Sequence, residues 1–326
     1  MGLHEVWAWQ APGEPSGLRR ESRPLPTPGP GEVLLANRAI GLNPVDWKMI
    51  AWGNPAWAPG RVPGVDGCGV AVACGEGVLL PAGGRYAYHQ GLARDGSFAT
   101  HVLVDARGLI PVPDAVDDRF AAALPCPGLT AWQALAKLPG EGGRDVLITG
   151  AGGSVGRILA QLALRSGWRV WVTASPRHAA DLLAMGVSGC LDYRAPDWQA
   201  RLQAVLGPRR LHAVFDTVSG DHARGLAAML GYNGHLVCIQ DRIEQAPLPA
   251  FTLAISLHEV ALNSIHHHAT DEDWRLWRAA GQQLFALLAA GQVSLPRIEV
   301  SSFAELPEAL ARLKQGGSSV KHIVML

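Results

Sequence analysis

Cysteine is scarce in this sequence and carries no pairing pattern: Cys68, Cys74, Cys126, Cys190 and Cys238 are its five thiols among 326 residues, with no CxxC spacing. An odd, scattered set argues against a complete disulfide framework. Long apolar runs are missing as well. No stretch of about 18 uninterrupted apolar residues occurs, so an ordinary membrane-spanning helix is not expected. Nor is there an excess of either charge, since 28 Lys and Arg balance 28 Asp and Glu. Such a chain has no general electrostatic attraction to nucleic acid or to an anionic membrane. Charged residues make up only 17% and hydrophobic ones 48%, which excludes a disordered chain and leaves material for sizeable cores in two domains. The opening Met1-Gly-Leu-His-Glu-Val has no basic stretch followed by an apolar core, so a cytoplasmic location is the expectation.

What the sequence does have is glycine, 38 of them, and one group is placed with purpose. Val146 to Ile148 reads as a short buried strand, and it stops abruptly at Thr149-Gly150-Ala-Gly-Gly153-Ser-Val-Gly156. Gly150 suits a tight turn, Gly153 lets backbone N–H groups approach a phosphate, and Gly156 permits close packing of helix on strand. Ile158, Leu159, Leu162 and Ala163 recur at helical spacing, and a second strand, Arg169 to Thr173, follows Gly167. This βαβ context turns a common glycine spacing into a dinucleotide-binding signal, with the helix N-terminus facing the pyrophosphate. Gly150, Gly153, Ser154, Val155 and Gly156 are the expected cofactor-binding residues of the loop.

The first 120 or so residues are rich in Gly, Pro and short strands, at Glu32 to Leu35, Cys68 to Ala73, Arg85 to His89 and Phe98 to Val104. They predict a β-rich domain, a partly open barrel. Helical segments follow at Asp118 to Leu124 and Leu129 to Lys137, and Pro139-Gly140 breaks the second. Strand runs then alternate with helical patterns from Val146 to Ile239, which implies a parallel sheet covered on both faces. A late strand, Lys321 to Leu326, must pair somewhere.

An ordered series of segments resembles the medium-chain dehydrogenase/reductase superfamily, and within it the zinc-independent NADPH:quinone oxidoreductase branch, also called zeta-crystallin-like. The segments are Ala39-Ile-Gly-Leu-Asn-Pro-Val-Asp46, Pro63-Gly-Val-Asp-Gly-Cys-Gly69, Gly96-Ser-Phe-Ala99, Leu124-Pro-Cys-Pro-Gly-Leu-Thr-Ala-Trp132, the Thr149 to Gly156 loop and Asp216-Thr-Val-Ser-Gly220. The resemblance implies an α/β protein made of a GroES-like β-rich catalytic domain, residues 1–116 and 264–326, split by a Rossmann doubly wound parallel-sheet cofactor domain, residues 117–263. It also implies that the last strand rejoins the first domain.

Zinc alcohol dehydrogenases of the superfamily hold a catalytic zinc with Cys, His and Cys, leaving one position open. By motif position those places resemble Asp46, Val65 and Cys126, and Val65 cannot ligate. The four-cysteine lobe for structural zinc is absent too, because no cysteine lies between Cys74 and Cys126. No metal is expected. His266-His-His268 reads as a loop or polar patch, since consecutive side chains point in different directions. Trp274 and Trp277, at i, i+3 spacing, read as a packing stripe.

At the end of the second strand an NAD enzyme usually places an acid for the ribose hydroxyls, whereas this chain has Ala174-Ser175-Pro-Arg177. The Ser175 hydroxyl and the Arg177 guanidinium suit a 2′-phosphate, so NADPH is the expected cofactor. By resemblance Tyr193 reaches the same phosphate, Thr130 lies near the cofactor, and Val218 and Ser219 pass the nicotinamide ribose. Lys321 is either a phosphate contact or an exposed charge. Hydride transfer to a quinone or an α,β-unsaturated carbonyl is the expected reaction. Asn43 is the candidate donor to the carbonyl and Asp46 the candidate water-orienting group or proton relay, the alternative being that both satisfy turn backbone around Pro44. A non-catalytic NADPH-binding protein, crystallin-like or redox-sensing, is the rival reading. Ile255 to Leu262 resembles the edge strand through which such cofactor domains pair, so a homodimer is expected.

Overall fold

The computed structural model describes residues 2–81, 83–140, 142–218, 220–239, 241–316 and 320–326. Along the chain come β1 (Leu3–Ala8), β2 (Arg19–Pro24), β3 (Glu32–Gly41), α1 (Pro44–Trp52), β4 (Asp66–Cys74), β5 (Arg85–His89), β6 (His101–Asp105) and β7 (Ile110–Pro111). Helices α2 (Asp118–Ala123) and α3 (Pro125–Leu135) precede β8 (Asp145–Ile148), α4 (Ser154–Arg165), β9 (Arg169–Ala174), α5 (Ala179–Ala184) and β10 (Gly189–Asp192). Then follow α6 (Trp198–Leu206), β11 (Leu211–Asp216), α7 (Gly220–Leu226), β12 (Leu230–Cys238) and β13 (Ser256–Glu259). The chain closes with α8 (Ile265–His268), α9 (Asp271–Ala289), β14 (Arg297–Ser302), α10 (Leu306–Gln315) and β15 (Val320–Met325). No described helix is long and apolar enough to cross a membrane.

Two compact units emerge, residues 1–129 with 263–326 and residues 130–262. The second boundary lies one residue from the expected place, but the first falls inside α3 rather than at 116/117. The cause is α2, which packs on β3, β4 and β15 of the first unit. Its backbone comes so close that a Cβ on Gly41 would sit 2.1 Å from the Ala122 carbonyl oxygen. A change of texture in the sequence therefore preceded the change of domain.

The first unit is built on β3, which pairs antiparallel with β4, β6 and β15. Its sheet runs β14-β15-β3-β4-β5-β7 with β6 on β3, and β1 with β2 makes a separate ribbon. The late strand does rejoin the first domain: Ile323 faces Gly41 and Met325 faces Ala39 across the β15–β3 pair. Apolar side chains from β1, β3, α1, α10 and β15, among them Val6, Ile40, Ile50, Leu310 and Val324, close one core. Val33, Leu35, Tyr88 and Val104 close a second core in the same unit.

In the second unit six strands are all parallel, in the order β10-β9-β8-β11-β12-β13. This is the doubly wound order in which ligands bind beyond the carboxyl ends of the strands, where the chain switches sides. β8 and β11, buried at every position, are the near-continuous apolar strands such a sheet requires. The expected edge strand is shorter than its sequence pattern, four residues from Ser256 to Glu259.

Candidate active site

At the carboxyl end of β8, Gly150 takes φ +63° and a Cβ there would lie 2.3 Å from Thr217 Oγ1, so the turn admits little but glycine. Gly153 is the N-cap of α4 and Ser154 its first residue. Ser154, Val155 and Gly156 therefore supply first-turn amides that an α-helix leaves without intrahelical partners. A Cβ on Gly156 would meet both Gly150 O and Ala151 Cα at 2.8 Å, so the close approach at this glycine is to the turn itself, not to the strand. The loop is pinned from β11. Thr149 Oγ1 donates to Asp216 Oδ1 (2.8 Å) and accepts from Thr217 N (3.0 Å), while His222 Nδ1 lies 2.6 Å from the same carboxylate oxygen. Thr149 and Asp216, both buried, hold the loop still, a role no local pattern announced.

The parallel register aligns Asp192 with Ala174, so Tyr193 and Ser175 leave adjacent strands side by side. Ser175 is half-buried and Arg177 exposed, with Arg177 Nε donating to His178 Nε2 at 3.2 Å. His178 is itself buried against the loop: a Cβ on Gly152 would lie 2.5 Å from its ring. Arg194 places its guanidinium 5.3 Å from the Tyr193 ring centroid, a second cation at this edge that the sequence reading missed. Thr130 is buried on α3, and Val218 is exposed just after β11. Ser219 lies outside the described residues.

In the first unit a polar cluster is buried where α1, β4, β5, the start of α3 and β15 meet. Asp66 is fully buried and saturated. Its Oδ2 accepts from Asn43 Nδ2 (2.9 Å) and from the Cys126 backbone N–H (2.9 Å), and its Oδ1 lies 2.8 Å from His89 Nδ1. Lys321, 4% exposed, donates to Leu42 O (2.9 Å) and Asn43 Oδ1 (2.6 Å). Burial pulls its ammonium below the ordinary lysine range, while Asp66, Cys126 and Asp46 pull it back. The far side of His89 packs on the rings of His266 and Trp277, 6.0 and 6.1 Å away. Burial drives the His266 imidazole down to about 3. Trp274 and Trp277 are buried, as a packing stripe should be, and His267 and His268 point outward.

This geometry corrects three expectations. Asn43 has no donor left for a substrate carbonyl, because its two amide hydrogens go to Gly41 O (3.1 Å) and Asp66 Oδ2. Asp46 spends its carboxylate on the helix start, accepting the N–H groups of Asn43 (2.7 Å) and Val65 (3.1 Å), so the reading around Pro44 as satisfied turn backbone prevails. Burial nonetheless pushes Asp46 up to about 7. Lys321 is neither exposed nor offered to a phosphate; it is an internal member of the cluster.

Zinc was expected to fail at Asp46, Val65 and Cys126, and those three indeed present no common donor set, since Val65 has no donor atom and Asp46 is occupied. Another trio does converge: Asp66, His89 and Cys126 offer ligand atoms within 4.8 Å of one another. Sequence spacing gave no sign of His89. The trio does not fit a resident zinc either. Asp66 already accepts two N–H groups and has His89 Nδ1 at 2.8 Å, and the buried Lys321 is electrostatically coupled to the same carboxylate.

Two family models match the chain, the alcohol dehydrogenase GroES-like domain over residues 29–114 and the zinc-binding dehydrogenase over residues 185–324. A chloroplast envelope quinone oxidoreductase homolog of Arabidopsis thaliana is 32% identical over 237 residues, covering 70% of this chain and 71% of the relative. A trans-enoyl reductase of Aspergillus flavipes is 29% identical over 348 residues, 99% of each chain. Among solved structures, a mycobacterial quinone oxidoreductase superposes with a TM-score of 0.82 at 27% identity, over 99% of this chain and all of the other. A Pseudomonas syringae quinone oxidoreductase gives 0.85 at 24% identity over 99% and 100% and shares the fold. The chain belongs to the medium-chain dehydrogenase/reductase superfamily of nicotinamide-dependent oxidoreductases.

Proposed function

We propose that the protein is a zinc-independent, NADPH-dependent reductase of quinones or α,β-unsaturated carbonyls, acting as a homodimer. The observation that carries the cofactor choice is the end of β9, where a hydroxyl and a guanidinium, Ser175 and Arg177, stand in place of a carboxylate. An acid there would repel a 2′-phosphate; arginine matches it with paired donors. The Gly150 to Gly156 turn would hold the pyrophosphate on the free amides of α4, and Tyr193 would close on the adenosine phosphate beside Ser175.

When bound, NADPH supplies a hydride, and the acceptor takes up one proton besides. What the chain contributes is orientation and a rigid polar background rather than a side-chain acid at Asn43 or Asp46, whose polar atoms are committed internally. The acceptor class is supported by relatives named as quinone oxidoreductases and trans-enoyl reductases. The dimer is supported by β13, which ends the sheet with Leu257 exposed on it.

The test is oxidation of NADPH and of NADH against a panel of quinones and enones, with and without a chelator. We expect NADPH to be preferred by at least about tenfold in kcat/KM, with turnover indifferent to the chelator. Preference for NADH would overturn the cofactor assignment. Tight NADPH binding without any turnover would establish the non-catalytic alternative instead.

A further inference from the structure

The polar cluster of the first unit contains an ammonium that hydride transfer does not require. Lys321 stands at the start of β15, and its Nζ reaches across to Leu42 O and Asn43 Oδ1. Asn43 passes the connection on through Nδ2 to Asp66, and Asp66 to His89. A continuous buried chain thus runs Lys321, Asn43, Asp66, His89, with Cys126 donating its backbone N–H to the same Asp66 oxygen. Asp46 lies in the first turn of α1, joined to the chain through the Asn43 backbone.

The charges in this cluster have few ways to balance. Asp46 and Asp66 are 1% and 0% exposed, so solvent cannot neutralise them. Ionised groups at such depth persist only against an opposite charge and with their hydrogen bonds made. Arginine is absent from the hydrogen bonds described around them, and the neighbouring His322 on β15 is instead 3.5 Å from Glu299. Lys321 is the cation that the fold delivers. A carboxylate, an imidazole and a thiol within 4.8 Å of one another would otherwise be a good donor set for a divalent metal.

We infer, building on the zinc-independent reading, that Lys321 is the built-in cation of this cluster: its ammonium takes the electrostatic place of a metal ion and keeps divalent metals off Asp66, His89 and Cys126. Lys321 is a positioning residue, since it acts on Asp66 through Asn43 and touches no reacting atom. A metal entering the trio would have to displace the N–H groups on Asp66 and sit in the field of a buried ammonium. Removing that charge while keeping a donor to Asn43 Oδ1 leaves the Asp66 carboxylate, an imidazole and a thiol without the lysine's counter-charge, and a dication then becomes the natural occupant.

Lys321→Gln keeps an N–H donor and loses the charge, whereas Lys321→Arg keeps the charge. Wild type and both variants, incubated with Zn²⁺ or Co²⁺ and desalted, are assayed for metal content, and the Co²⁺ samples for thiolate-to-metal absorption. The inference expects wild type and Lys321→Arg to emerge metal-free, and Lys321→Gln to retain about one ion per chain with a thiolate band that Lys321→Gln/Cys126→Ser lacks. Stoichiometric metal on Cys126 in the wild type, or a folded Lys321→Gln that takes none, would overturn it. If Lys321→Gln does not fold unaided, it is refolded with and without Zn²⁺; recovery only with the metal supports the inference, and failure in both overturns it. Chelator-resistant turnover of the wild type beside a metal-free Lys321→Gln rejects this inference alone, and chelator-sensitive turnover rejects the reading beneath it.

Discussion

Asp46→Asn separates what a buried carboxylate contributes as a hydrogen-bond acceptor from what it costs as a charge. Asp46 is 1% exposed, and burial raises its pKa from 3.8 to about 7 against the opposing pull of the Asn43 and Val65 N–H groups and Lys321. Between those two values the native state keeps a proton that the unfolded chain has released, so unfolding releases a proton and stability falls as pH rises. The contribution is whole below pH 3.8 and is lost by the time pH has passed about 7. A shift of about three units, at about 1.4 kcal/mol each, makes the full penalty of the ionised form about 4 kcal/mol. Asparagine resembles the protonated acid and has no proton to lose. Its amide can accept only one of the two backbone N–H groups, a pH-independent loss of about 1–3 kcal/mol. The stability of Asp46→Asn relative to wild type should therefore improve by about 3 kcal/mol from about pH 5 to about pH 8, whatever the constant offset. Urea unfolding followed by tryptophan fluorescence, fitted with one transition per unit, measures the difference, and subtraction cancels histidines titrating in the same window. A carboxyl ¹³C titration of Asp46 provides an independent midpoint. A difference that stays flat across this range, or a midpoint near that of a free aspartate, would refute the reasoning.

Two further substitutions test the cofactor and assembly assignments. Arg177→Ala removes the paired donors at the end of β9 and should raise KM for NADPH by about 10- to 100-fold while leaving KM for NADH nearly unchanged; an equal loss with both cofactors would deny Arg177 a role at the 2′-phosphate. Leu257→Lys places a charge on β13, whose Leu257 is 42% exposed at the sheet edge, and should convert a dimer into a monomer by light scattering at micromolar concentration. A wild-type monomer, or a variant that remains dimeric, would count against pairing through that strand.

The cofactor half of the molecule was legible because its rules are local. Glycine at 150 and 156 meets backbone constraints, a positive φ at the first and a close approach to its own turn at the second, and the 3.6-residue period of α4 buries Ile158, Leu159, Leu162 and Ala163. The alternation of strands with helices then left the parallel doubly wound order as the economical topology. Even so, α2 looked like the first helix of that domain, since nothing in its own composition reports that Ala122 leans on Gly41.

The polar cluster obeyed no such rule. Asn43 and Asp46 stood out because the types are reactive, yet a sequence cannot count how many hydrogen bonds a side chain has already made. Lys321 and Asn43 are 278 positions apart, and Asp66 is 60 from Cys126. By itself the sequence determined the glycine turn after β8, the hydroxyl and guanidinium in place of an acid after β9 and the loss of a donor at Val65, because each depends on neighbours along the chain. Only the tertiary structure decided that Asp46 caps a helix, that His89 joins Asp66, and that Lys321 lies among buried carboxylates instead of at the surface. Burial and charge balance belong to the packed interior, where partners are chosen by the fold and not by spacing.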